Sequence, residues 1–352
     1  MRTLLKPFNP FLIASVWMLT IAFSPSALAT TTSSSAVILM YHHFDDDTPA
    51  STSVTLAQFD AHLDLLQKQQ FTVWPLSKLV THWENNQPIP ERTVVLTADD
   101  AYKSVYTEAY PRLKALGWSM TTFVNSEPID KRFGNFMTWE QMREMKADGF
   151  EFANHTHTHS KMRPINGETE SEMLQRVRQE IEITQQRLQE ELGKDTNESP
   201  RLFAYPYGEY SESAANLIKE MGYISAAQVS GAVDANSDRR ALNRFPMAVN
   251  FAKINDFRLK VNTRPLPITR ITPWDPIIQE NPPKLTIELS QPVSQLNCFN
   301  SRGQTLKMDW QTRTRLVIQS EKTLNPPRDR YACTAPIGDG SWYWFGHLWI
   351  ID

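Results

Sequence analysis

The chain has no run of Lys and Arg of the length a phosphate-binding surface needs, and its formal charge is −3 from 36 basic and 39 acidic residues. That balance argues against nucleic acid as a partner. A neutral polymer remains open. Beyond Phe23 no apolar stretch approaches the roughly 20 residues of a membrane-spanning helix, so no stable span is expected after the leader read below. Cysteine is nearly absent, with Cys298 and Cys333 the only two, and a CxxC redox motif is excluded. No internal repeat is visible.

What is present is 41% hydrophobic and 11% aromatic residues over 352 positions, enough for two ordinary domains or one large one with an appendage. Arg2 and Lys6 precede an apolar run from Phe11 to Phe23, followed by Ser26-Ala27-Leu28-Ala29. This is the pattern of a cleavable signal peptide over residues 1–29. A membrane anchor is the alternative, but the run is short for one. No cysteine stands at the cleavage site to carry a lipid. The mature chain is therefore expected to be exported, to the periplasm or the medium. There two cysteines pair by default, and a Cys298–Cys333 disulfide closing roughly 35 residues contributes about 4 kcal/mol, less any strain.

After a Thr/Ser-rich linker over 30–35, short apolar runs alternate with helical spacing. Val37–Tyr41 reads as a strand, Leu56–Gln70 as a helix, and Thr93–Thr97 as a strand that stops at Asp99-Asp100. The alternation continues through Phe150–Ala153, a long amphipathic helix marked by Met173, Val177, Ile181, Leu188 and Leu192, and a strand over Arg201–Tyr205. This predicts a parallel α/β sheet or barrel over residues 36–261. From about residue 262 prolines crowd together and helical periodicity stops. Residues 262–352 read as short strands forming a small β-sandwich stapled by the cystine.

Two signals carry chemistry. His155-Thr156-His157-Thr158-His159 lies some way after the paired Asp99-Asp100, and each follows an expected strand. The strand ends of a parallel barrel share one face, so His42, Asp99, Asp100, His155, His159 and Tyr207 can converge. Two imidazoles four apart on a helical turn, with one carboxylate, make a three-ligand set that leaves positions open for water. The second carboxylate can then take the proton of that water. His157 would point elsewhere and reads as structural. The donor set makes Zn2+ the default ion, with Co2+ or Ni2+ also accepted.

These motifs resemble those of the polysaccharide deacetylases of the NodB-homology type, carbohydrate esterase family 4, over about Val37 to Val249. Thr97-Ala98-Asp99-Asp100 is similar to a Thr-Phe-Asp-Asp motif whose first Asp is the base and second a metal ligand. His155, Thr156 and His159 match a His-Ser/Thr-x-x-His motif that completes the metal site. Tyr205-Pro206-Tyr207-Gly208 resembles an Arg-Pro-Pro-Tyr-Gly motif that walls the substrate groove and offers a backbone N–H to the oxyanion. Two departures stand out. Ala204 occupies the position of an Arg that holds the catalytic Asp, for which Arg244 is the candidate substitute, with an ordinary surface or interdomain arginine the alternative. The late Leu-x-His motif that supplies a proton donor is missing, and His42 is preferred to His43 in its place.

The resemblance implies a distorted (β/α) barrel, a divalent metal, and removal of N-acetyl groups from a glycan containing N-acetylglucosamine. In that reading Asp99 and His42 are catalytic, Asp100, His155 and His159 bind metal, and Tyr205, Pro206, Tyr207 and Arg244 lie at the substrate. An acetyl-ester hydrolase, or a glycan-binding protein that keeps the metal site without turnover, are the alternatives. Trp342-Tyr343-Trp344-Phe345 and Trp349 offer either sugar platforms or, as we favour, sandwich core.

Overall fold

A computed structural model describes residues 1, 3 and 4, 32–197 and 200–351. The signal peptide read over 1–29 falls, but for residues 1, 3 and 4, outside the described residues. No helix among the described residues is long and apolar enough to cross a membrane.

The first buried run forms β1 (Ser35–Tyr41), and β2 (Thr72–Trp74), β3 (Thr93–Ala98), β4 (Thr121–Val124), β5 (Glu151–Asn154), β6 (Arg201–Ala204) and β7 (Tyr223–Ala226) follow in parallel. Their near-continuous apolar sequences reflect burial on both faces, the condition of a parallel sheet covered by helices. Among those helices are α1 (Leu56–Lys68), α2 (Leu76–Glu84), α3 (Tyr110–Ala115), α4 (Trp139–Ala147), α5 (Glu170–Leu192) and α6 (Glu212–Glu220). Thr169 and Glu172 cap the start of α5 reciprocally, and its Met173, Val177, Ile181 and Leu188 stripe is buried.

Closure comes from a segment without periodicity. The strand order is β7-β6-β5-β4-β3-β1-β8, with β8 (Val233–Asp234) antiparallel to β1. Leu242 then bridges Ala226 at the end of β7, while β9 (Phe245–Pro246) runs parallel to β1. Residues 242–246 thus join the last wall strand to the first and curl the sheet into a distorted barrel. Arg244 sits in the middle of this closing segment.

After α7 (Ile254–Val261), eight strands form two four-stranded sheets. One is β10 (Thr263–Pro265), β17 (Trp342–Ile350), β16 (Arg328–Pro336) and β13 (Asn297–Asn300) in spatial order. The other is β11 (Ile268–Thr272), β12 (Lys284–Leu289), β15 (Arg315–Gln319) and β14 (Lys307–Thr312). Leu285, Ile287, Leu316, Ile318, Tyr331 and Trp349 share the core between them. Strand β16 alternates buried and half-buried along most of its length, as one sheet of a sandwich should. Cys298 and Cys333 face each other across β13 and β16 and are disulfide-bonded. Trp349 is fully buried and Trp344 packs edge-on against Phe245 of the barrel at 5.3 Å, whereas Trp342 at the start of β17 is exposed.

Candidate metal centre and active site

The wall strands deliver their C-terminal ends to one mouth: His42 after β1, Asp99 and Asp100 after β3, His155 after β5, and Tyr205–Gly208 after β6. Asp100 Oδ1 lies 3.4 Å from His155 Nε2 and 3.2 Å from His159 Nε2. The ligand atoms of all three residues fall within 4.8 Å of one another. His155 Nδ1 is 2.8 Å from the Ala204 carbonyl. That oxygen can only accept, so Nδ1 carries the proton and the Nε2 lone pair turns to Asp100. Asp100 Oδ1 is buried with no hydrogen-bond donor.

A carboxylate oxygen and two imidazole nitrogens meet at one point, and the His155 lone pair and the Asp100 oxygen repel unless something positive lies between them. A divalent cation fits that donor set, two imidazole nitrogens and one carboxylate. With protons alone the same logic applies. Burial opposes charge on both groups, yet the imidazole contacts hold the Asp100 carboxyl well below the usual range, and Asp100 raises His155. The Tyr102 hydroxyl also bonds to Asp100.

The histidines do not occupy the helical turn expected from their spacing. They lie on an irregular loop in which Thr156 has φ 70° and His159 φ 60°. Left-handed backbone at non-glycine residues costs energy and needs outside support. Glu180 of α5 supplies it, accepting from the His157 and Thr158 amides at 2.9 and 2.8 Å and from the Thr158 hydroxyl at 2.8 Å. His157 turns from the metal cluster, and its Nδ1 bonds the Ser126 hydroxyl at 2.8 Å. Asp100, Ala101 and Tyr207 also have positive φ, which concentrates such strain around the mouth.

Asp99 is 3% exposed and Arg244 fully buried. The Arg244 guanidinium grips both Asp99 oxygens, Nη1 to Oδ1 at 2.7 Å and Nη2 to Oδ2 at 2.8 Å. It also donates from Nη1 to the Thr97 hydroxyl and from Nε to the Ala227 carbonyl, both at 3.1 Å. Burial alone would raise the Asp99 carboxyl, but Arg244 and His155 outweigh it and hold it below its ordinary value. Asp99 is therefore ionised at neutral pH. An arginine so enclosed cannot meet a substrate, so its place is behind Asp99 and not on the groove.

His42 feels Asp99, Asp100, Arg244 and His155, and burial lowers its pKa. His43 turns aside and stacks on Tyr102 at 3.6 Å. Of the groove residues, Tyr205 is 1% exposed and its hydroxyl donates to the Arg240 carbonyl at 2.6 Å, which removes it from any substrate-facing surface. Pro206 is buried as well. Tyr207 is 46% exposed, with its ring centroid 4.3 Å from that of His159. Gly208 is required beside it: φ is +69°, and a Cβ would meet the Gln228 Cβ at 2.6 Å. Tyr102 and Glu180 escaped the sequence reading because a tyrosine after an acidic turn and a glutamate on a polar helix face carry no motif.

Residues 86–226 match the polysaccharide deacetylase family model. The chain is 30% identical over 168 residues to the poly-beta-1,6-N-acetyl-D-glucosamine N-deacetylase of Escherichia coli K12, covering 39% of this chain and 25% of that protein. It is 25% identical over 174 residues to the Staphylococcus aureus protein of the same name, covering 48% and 59%. The chain thus spans less than two thirds of the length of either relative. In fold it is similar to the Streptococcus pyogenes deacetylase PplD, with TM-score 0.57, 23% identity, and coverage of 64% of this chain and 98% of that one. Residues 86–226, which carry Asp99, Asp100, His155 and His159, are thus similar to the polysaccharide deacetylase family.

Proposed function

We propose that the protein is a metal-dependent hydrolase that removes N-acetyl groups from a glycan containing N-acetylglucosamine. One observation carries the reading: a carboxylate clamped by Arg244 stands next in sequence to a cluster of one carboxylate and two imidazoles that fits a divalent ion. Similarity to enzymes named for poly-β-1,6-N-acetylglucosamine supports that polymer class as the substrate. The catalytic part is residues 36–261, and export to the periplasm or medium follows from the leader. Zinc is the proposed ion, from the donor set.

A divalent ion bound by Asp100, His155 and His159 supplies polarisation of an acetyl carbonyl and acidification of a water. Asp99 takes the proton of the attacking water. Each of its oxygens gives one lone pair to Arg244 and keeps another free. The Arg244 fork prevents the carboxylate from rotating away, so its orientation is set before substrate arrives. The Tyr207 backbone N–H faces the developing oxyanion, and its exposed ring gives a sugar face something to lie against. His42 delivers a proton to the leaving nitrogen. Burial favours its neutral form, so the proton His42 delivers is the one Asp99 took from the water, and its transfer returns Asp99 to the carboxylate.

The experiment is acetate release from protein stripped of metal and reloaded with zinc or cobalt, offered a chito-oligosaccharide and an O-acetylated xylan. Metal-dependent release from the N-acetylated substrate is the expected result. Release from xylan alone would make the protein an esterase.

A further inference from the structure

The sandwich touches two separate parts of the active site. Arg328 of β16 reaches across to the Tyr207 turn, where Nη1 donates to the Tyr207 carbonyl and Nε lies 3.7 Å from Glu209 Oε1. Glu209 is 2% exposed and also meets Arg163 Nε at 2.8 Å and Lys161 Nζ at 3.0 Å. Lys161 and Arg163 follow the histidine loop, so this one carboxylate links the loop, the Tyr207 turn and the sandwich. Tyr207 needs such a tie, because its φ of 57° is a conformation that the local sequence does not favour.

The second contact lies behind Arg244. A Cβ on Gly346 of β17 would stand 2.4 Å from the Ser230 carbonyl and 2.7 Å from Val229 Cγ1. Only glycine allows that approach. Asn243 donates to the Gly346 carbonyl at 3.2 Å, the Arg244 amide donates to the Val229 carbonyl at 2.9 Å, and Phe245 meets Trp344. Both sequence neighbours of Arg244 are therefore seated on β17.

We propose that the C-terminal sandwich is a working part of the active site, in which Arg328 is a positioning residue for the Tyr207 wall and β17 seats the Arg244 segment. What the wall binds rests on the deacetylase reading; the mechanical coupling does not. Arg328 is well exposed, so Arg328→Gln leaves a folded protein, and two readouts are made on the full chain. The first is steady-state acetate release from chito-oligosaccharide: KM rises ~5-fold while kcat stays within about 2-fold, and Arg328→Lys, which can still donate to the Tyr207 carbonyl, recovers part of the loss. The second is amide hydrogen exchange, which accelerates over residues 205–209 and not across the barrel core. Gly346→Ala serves as an independent variant and lowers kcat more than it raises KM, because it displaces Arg244 rather than the wall. A lowered melting temperature with KM, kcat and local exchange all unchanged overturns the proposal. Wild-type protein that releases no acetate, but whose exchange over 205–209 still responds to Arg328→Gln, upholds the coupling and overturns the deacetylase reading instead.

Discussion

Arg244 places its two terminal nitrogens on the two carboxylate oxygens of Asp99, 145 positions earlier in the chain, at 2.7 and 2.8 Å. Planar, bidentate geometry of this kind is specific to a guanidinium. Arg244→Lys keeps the positive charge and loses the fork, so Asp99 stays ionised but can turn. We expect kcat for acetate release to fall ~100-fold with metal content unchanged, because the lost quantity is orientation. Metal analysis beside the kinetics checks this. Full activity in Arg244→Lys would show that charge alone is what Asp99 requires.

The neighbouring aspartates separate by partner. Asp99 is bound to an arginine, and Asp100 faces two imidazoles. Asp99→Asn should retain bound metal and lose turnover by ~100-fold or more, the range of a lost general base. Asp100→Ala should lose both, since two imidazoles alone make a weaker site. Metal content after dialysis, paired with acetate release, reads the difference. Turnover retained in Asp99→Asn removes that residue from the role of base.

The barrel strands were legible because their apolar runs are dense and end at polar punctuation, as in Thr93–Ala98 stopping at Asp99-Asp100. The motifs at those ends were legible for the same reason. Strand Phe245–Pro246 was not, since two residues have no period; only its pairing with β1 reveals that it closes the barrel. Strand Lys307–Thr312 was missed on opposite grounds: it is exposed along nearly its whole length and shows no buried face to alternate with. Tyr205 was misplaced because a motif gives adjacency and not direction. Of Tyr205-Pro206-Tyr207, the first two are buried and only Tyr207 reaches solvent.

His62 predicts an acid-sensitive fold. It is fully buried in α1, stacked flat on Phe257 at 3.8 Å and close to the cationic Lys260. Its Nε2 bonds the Ala252 carbonyl at 2.7 Å, so that nitrogen carries the proton, and Nδ1 accepts from the Tyr41 hydroxyl at 3.1 Å. Burial pushes its pKa down to about 4. The unfolded chain binds the proton near pH 6.5, so between 6.5 and 4 the unfolded state holds more protons than the folded one. Stability is then complete above pH 6.5 and declines as pH falls to 4, by at most about 3 kcal/mol from this group. In His62→Gln, the amide can accept from Tyr41 and donate to Ala252 without titrating. Urea midpoints at pH 7 and pH 4.5 should converge in the variant relative to wild type; equal losses in both would assign the acid sensitivity elsewhere.

Glu180 gives the last prediction, because it tests whether metal affinity is set by the loop as well as by its ligands. The carboxylate receives the His157 and Thr158 amides and the Thr158 hydroxyl, all between the two metal-ligating histidines. Without it, His157 and Thr158, which lie between the left-handed residues Thr156 and His159, lose their side-chain anchor, and the two imidazoles are less firmly aimed at Asp100. Glu180 lies on the half-exposed side of α5, so the helix itself should survive its removal. We expect Glu180→Ala to weaken zinc affinity ~10–100-fold in a chelator competition, the usual range for losing a group that orients metal ligands, with helical content intact. Glu180→Gln, which keeps one oxygen to receive the amides, should fall between. Unchanged affinity in Glu180→Ala would mean that the three ligands hold their geometry without the Glu180 carboxylate, and that the bonds of Thr156 to Asn154 and Ser126 suffice to fix the loop.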